Sequence, residues 1–150
     1  MMKSYIIFFL VALVSCFPEQ TTLFSDNLLV GQIIPLDDLC FEADHVNLND
    51  PKSQVALDQL FTLLRENPNM RIEVGGHASG HNAGLKVNEA YSQHLSRERA
   101  DVVVHYLQAK GISIEQLVSK GYGNSNPLFS NDSGEGRAKN RRIEIKVLRI

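Results

Sequence analysis

"MRIEVGGHASGHN", residues 70 to 82, holds two patterns that meet at one point. Met70, Ile72 and Val74 alternate with Arg71 and Glu73, the period of a strand with one face buried. The alternation stops at Gly75 and Gly76, and Gly80 and Gly84 argue against a helix in the next stretch. His77 and His81 are spaced as HxxxH, which puts two imidazoles on one face only if the segment is helical. No cysteine or carboxylate lies between His77 and Lys86. The reading is therefore a structural His77, a solvent-facing His81 and no metal site. Without a GK[ST] ending the stretch is not a phosphate loop either.

Working outward, "NDPKSQVALDQLFTLLRENP", residues 49 to 68, has helical spacing in Val55, Ala56, Leu57, Leu60, Phe61, Leu63 and Leu64. Asp50 suits the N-cap and Pro51 the first helical position, and Asn67 and Pro68 end the element. "GQIIPLDDLCFEADHVNL", residues 31 to 48, reads as a strand region weakened by Pro35. A second helix runs from about Asn88 to Lys110, with Tyr91, Leu95, Val102, Val103, Tyr106 and Leu107 as its apolar face and Gly111 as its stop. "EQLVSKGYG" gives a third strand. "NSNPLFSNDSGEGRAKN" reads as a polar loop and "RRIEIKVLRI" as the last strand. The order β-α-β-α-β-β makes this an α/β chain, with the sheet partly parallel and both helices on one face.

The 150 residues suit one domain, and 43% hydrophobic against 21% charged residues is a globular profile. A net charge of −2 argues against nucleic acid as the main partner, since phosphate binding needs a basic surplus. The start, "MMKSYIIFFLVALVSC", differs from the rest: Lys3, then an apolar run from Tyr5 to Val14. That run is too short for a spanning helix of about 20 residues and fits an export signal over residues 1–15. Its ending "LVSC" resembles a bacterial lipobox, in which the cysteine is acylated and becomes the mature N-terminus. Acyl chains such as palmitate on Cys16 would hold the protein to a membrane surface. Plain cleavage near Cys16 is the alternative. Residues 16–30 then form the lipidated N-terminus and tether, and residues 31–150 the domain. A Cys16–Cys40 disulfide would compete with lipidation, and Cys40 reads as a small buried residue.

From about Ile33 to Ile150 several motifs fall into one register: "LCFEAD", "IEVGGH", "LSRERADVVVHYLQAKGI", "GYGNSNP" and "GRAKNRRIEI". Together they resemble the OmpA-like domain, the peptidoglycan-binding module of outer-membrane proteins, Pal-type lipoproteins and MotB-type stator proteins. The resemblance implies two main helices on one face of a mixed sheet. It implies as ligand the peptidoglycan stem peptide, above all its diaminopimelate residue. An arginine fits that ligand because its fork matches a carboxylate with two parallel hydrogen bonds.

Carried over by motif, Arg99 matches the family arginine, and Leu95 and Ser96 match the "LS" before it. Asp44 matches an acidic position near the ligand. Asn140, Arg141 and Arg142 match "NRR", with a structural role favoured and Asn140 placed near the ligand. The chain also departs from the pattern. Ser79 stands where the family has an aspartate, and losing that charge-assisted contact would cost about 1–3 kcal/mol of binding. Ser92 replaces an asparagine, and the loop from His77 to Leu95 is longer than usual.

The expected function is non-covalent peptidoglycan binding by a lipoprotein on the periplasmic face of the outer membrane, linking that membrane to the wall. No nucleophile–base signature marks an enzyme and no cofactor is implied. The reading from another class is a divergent domain that serves as an envelope protein-interaction module, and a zinc hydrolase would need metal at His77 and His81.

Overall fold

The apolar spacing of residues 51 to 66 is realised as α1, Pro51–Glu66, in a computed structural model that describes residues 24, 27–36, 39, 41, 48, 51–80 and 88–150. Pro51 opens the helix, where its missing N–H costs nothing. Asn67 closes it, its side-chain amide donating to Leu63 O at 2.8 Å. Ser53, Ala56, Leu57, Leu60 and Leu64 form the buried stripe, whereas Val55, expected on that face, is exposed because it falls on the far side. The expected cap Asp50 lies outside the described residues, as do Cys16, Cys40, Asp44, His81 and the whole of residues 1–23.

Four strands form a mixed sheet in the order β1-β4-β2-β3, where β1 is Ile33–Leu36, β2 Arg71–Gly76, β3 Leu117–Gly121 and β4 Ile143–Arg149. β2 and β3 run parallel, and β4 is antiparallel to both β1 and β2. Register places Val74 beside Ile145 and Ser119, and Ile72 beside Val147 and Leu117. Ile72, Val74, Leu117 and Ile145 share the face that carries α1 and α2, and with Leu57, Leu60, Leu64, Val103 and Leu107 they build the core. Phe24, within the stretch expected to be tether, is also buried in that core.

α2, Glu89–Ala109, is capped by Asn88, whose Oδ1 accepts from Ala90 N. Leu95, Val103, Val104 and Leu107 are buried as a stripe, but Tyr91, placed there by the sequence reading, is exposed on the first turn. The same buried face carries polar groups: Ser92, Ser96 and Arg99. Two glycines admit them. Gly76 and Gly121 are register partners at the ends of β2 and β3. A β-carbon on Gly76 would lie 1.9 Å from Ser96 O, and one on Gly121 would lie 2.7 Å from Arg97 N. The helix backbone therefore rests on the bare strand at this point.

Residues 134–140, expected to be loop, form a third helix, α3, Gly134–Asn140. It has no apolar stripe to betray it. It is held instead by Ser133, whose Oγ accepts from Gly136 N at 2.9 Å, and by the bonds of its last residue. A single 3-10 turn, Ile114–Gln116, leads into β3. Gln116 Nε2 donates to Leu64 O, Asn67 O and Met70 O, closing the end of α1. Among the described residues no helix is long and apolar enough to cross a membrane.

Candidate functional site

The loop after β2 leaves the sheet where α2 presses on Gly76. Its first residue, His77, is buried, and its ring stacks on Tyr122 at 5.0 Å between centroids and 6° between planes. His77 Nε2 lies 3.2 Å from Glu144 Oε2, and Arg142 holds the other oxygen of Glu144 at 2.7 Å. Burial, reinforced by the Arg142 charge, lowers the His77 pKa below its usual 6.5 against the opposing pull of Glu144. The lowered pKa favours the neutral ring, held between Tyr122 and Glu144. Among the described residues no cluster of three or more potential metal ligands occurs.

The backbone of the loop is fixed on both sides. His77 N donates to Arg142 O at 3.0 Å and Ala78 N to Gly123 O at 2.8 Å. Gly80 N donates to Asn131 Oδ1 at 3.1 Å. Ser79, between these anchors, is half-buried.

Arg99 is the largest fully buried side chain and enters the same region from α2. Among its contacts, Nη1 donates to His77 O at 3.4 Å, and the guanidinium carbon lies 5.1 Å from the Phe41 ring centroid. A buried guanidinium needs such partners, because an uncompensated charge inside is costly. Phe41 is itself held by Arg141, whose Nε donates to Phe41 O at 3.0 Å. Ser96 is a fastener rather than an open group: its Oγ accepts from Gly123 N at 2.8 Å and donates to Gln93 O at 3.0 Å. Leu95 is buried. Ser92 is buried, and its hydroxyl has no hydrogen-bond partner among the described residues.

Asn140 uses its whole amide on the neighbouring loop. Oδ1 accepts from Leu128 N at 2.9 Å and Phe129 N at 3.0 Å, while Nδ2 donates to Phe129 O at 2.8 Å and Asn131 Oδ1 at 2.9 Å. The link Asn140–Asn131–Gly80 ties this loop to the one after β2. Asn140, Arg141 and Arg142 are consecutive, yet they secure three different segments: residues 128–131, Phe41 and Glu144.

The structure therefore brings Arg99, Ser96 and the His77–Gly80 loop together, with Asn140 behind that loop. Asp44 lies outside the described residues. Sequence reasoning missed Phe41, Tyr122, Glu144 and Asn131. Phe41 and Tyr122 stood inside quoted motifs, but nothing in their spacing marked them as partners of Arg99 and His77.

The OmpA family model matches residues 40–141. Peptidoglycan-binding protein ArfA of Mycobacterium tuberculosis is 36% identical over 97 residues, covering 65% of this chain and 28% of that protein. Outer membrane porin F of Pseudomonas fluorescens is 32% identical over 119 residues, covering 79% of this chain and 35% of the porin. The chain thus spans about a third of the length of these curated relatives. Among solved structures, the periplasmic domain of Helicobacter pylori MotB superposes with a TM-score of 0.64 at 25% identity, covering 81% of this chain and 78% of that one.

Proposed function

The chain belongs to the OmpA family, and from that premise we propose that it binds peptidoglycan non-covalently while acyl chains on Cys16 hold it to the periplasmic face of the outer membrane. In this reading residues 1–15 are removed as a signal and residues 16–30 form the lipidated N-terminus and tether, with Phe24 packed into the core. The observation that carries the binding reading is Arg99 fixed against the carbonyl of His77, at the base of the loop after β2. A relative that is 36% identical bears the name of a peptidoglycan-binding protein, which points the same way. The ligand would be a stem peptide whose carboxylate takes the Arg99 fork, with Ser79 offering an uncharged acceptor and Asp44, matched by motif alone, offering an acid. Each contact is weak, and many anchored copies act together through effective concentration.

One observation favours a second reading. Arg99 is fully buried with Phe41 over its guanidinium, so an external carboxylate does not reach it without movement around the site. A domain closed in this way would serve as an envelope protein-interaction module.

Sedimentation with purified sacculi separates the two. Binding predicts retention of the wild type, weaker retention of Arg99→Lys, which keeps the charge and loses the fork, and stronger retention of Ser79→Asp. No retention of either wild type or Ser79→Asp, in protein with an unchanged thermal melt, would assign the interaction module.

A further inference from the structure

The end of the sheet opposite the His77–Gly80 loop carries a surface that neither the core nor the candidate site uses. The strand order β1-β4-β2-β3 sets its residues in a row. Leu29 and Val30 precede β1, Arg149 ends β4 and Ile150 follows it, Arg71 begins β2, and Ile114 precedes β3. With strands about 4.8 Å apart the row spans on the order of 15 Å. Its apolar members are open to solvent: Leu29 69%, Val30 64%, Ile114 55% and Ile150 55% exposed.

Turn chemistry does not account for the first pair. Gln32 N donates to Leu29 O at 3.0 Å and Gly31 has φ +88°, which makes Leu29–Gln32 a turn with glycine at the position that needs it. The corner ahead of that glycine suits proline or a polar residue, yet it holds Leu29 and Val30. Charge adds a second signal. Arg71 and Arg149 are partners across β2 and β4, next to a register shift between Arg71 and Ile72, and like charges brought close on a sheet are destabilising, a cost that an anion over them would offset. Arg149 Nε donates to Asn69 O at 2.9 Å, and both arginines are exposed to solvent.

We propose that this row seats on an anionic lipid surface. Leu29, Val30, Ile114 and Ile150 enter the boundary between headgroups and acyl chains, and Arg71 and Arg149 meet lipid phosphates. The row lies at the far end of β2 from the candidate loop, so the surface stands whether or not that loop binds peptidoglycan. It would orient the domain with the loop facing away from the membrane.

The chain has no tryptophan, so single tryptophans report position. The full chain carrying Val30→Trp, or Leu128→Trp at the opposite end, is reconstituted into vesicles with brominated acyl chains. One set is phosphatidylcholine alone and the other contains phosphatidylglycerol. The expected result is severalfold stronger quenching of Val30→Trp than of Leu128→Trp, seen with phosphatidylglycerol and lost when Arg71→Glu and Arg149→Glu are added. Co-sedimentation with phosphatidylcholine vesicles reads the Cys16 anchor separately. Equal quenching at both ends, or quenching indifferent to lipid charge, would overturn the proposal. So would a blue-shifted Val30→Trp emission without vesicles that reverts on dilution, which would assign the row to a second copy of the chain.

Discussion

The carbonyl oxygen of Ser96 stands 1.9 Å from where a β-carbon on Gly76 would lie. The helix that carries Arg99 is thus seated on backbone, with no side chain to yield between them. Gly76→Ala must push α2 away from β2, and with it Arg99 from His77 O. The expected loss of stability is about 3 kcal/mol, the upper end for overpacking. Gly134→Ala is the comparator, since a β-carbon there meets nothing closer than the end of Arg137 at 3.8 Å. It should be neutral or slightly stabilising. Urea unfolding of both variants checks this, and similar midpoints would mean that α2 does not rest on Gly76.

Asn140 is the joint between α3 and the loop beside the candidate site. Asn140→Ala strands Leu128 N, Phe129 N and Phe129 O at once. The expected cost is about 3 kcal/mol, since each buried group left without a partner costs about 1–3 kcal/mol and water can reach part of this loop. Asn140→Asp keeps the acceptor and loses the donors, so it should fall between. Amide exchange at Leu128 and Phe129 should speed up sharply in Asn140→Ala and little in Asn140→Asp.

The sheet and the two long helices were legible because burial wrote its period into them, as in Ile72 and Val74 on β2 and Ile143, Ile145 and Val147 on β4. α3 was illegible because "GEGRAKN" buries almost nothing apolar and depends on Ser133 and Asn140. Periodicity also misplaced Val55 and Tyr91, apolar residues on outward faces. The site shows the opposite failure. Ser92, Ser96 and Arg99 are polar residues on an inward face, where periodicity expects leucine, so the motif pointed to them and the apolar pattern could not. The partners of Arg99 and His77 come from segments distant in sequence, and only folding names them.

His77 gives the fold a pH dependence of definite sign. Its folded pKa is lowered from 6.5, first by burial and then by Arg142. Below pH 6.5 the unfolded chain therefore binds a proton that the folded chain refuses, and stability falls as pH drops. Tyr122, Glu144 and Arg142 are the groups that face the ring. Urea midpoints between pH 7.5 and pH 5 should decline in the wild type and decline less in His77→Gln. An equal slope in both would mean that the ring is hydrated.

Gln116 offers the sharpest test of how α1 is finished. One amide nitrogen serves Leu64 O, Asn67 O and Met70 O, at 3.2, 3.0 and 3.2 Å. Gln116→Ala leaves three acceptors without this donor and should cost about 1–3 kcal/mol. Gln116→Glu should cost more at neutral pH, because a carboxylate would face three carbonyl oxygens with no proton to share. Those oxygens raise the folded pKa of the new carboxyl above the unfolded value of about 4.3. Between those two values the folded variant binds the extra proton, so its stability rises as pH falls. Measured against Gln116→Ala at each pH, Gln116→Glu should be the weaker at pH 7.5 and regain ground by pH 4.5, where a protonated carboxyl can donate to one carbonyl. A constant gap between the two variants would show that residue 116 points to water and that the end of α1 is closed by other means.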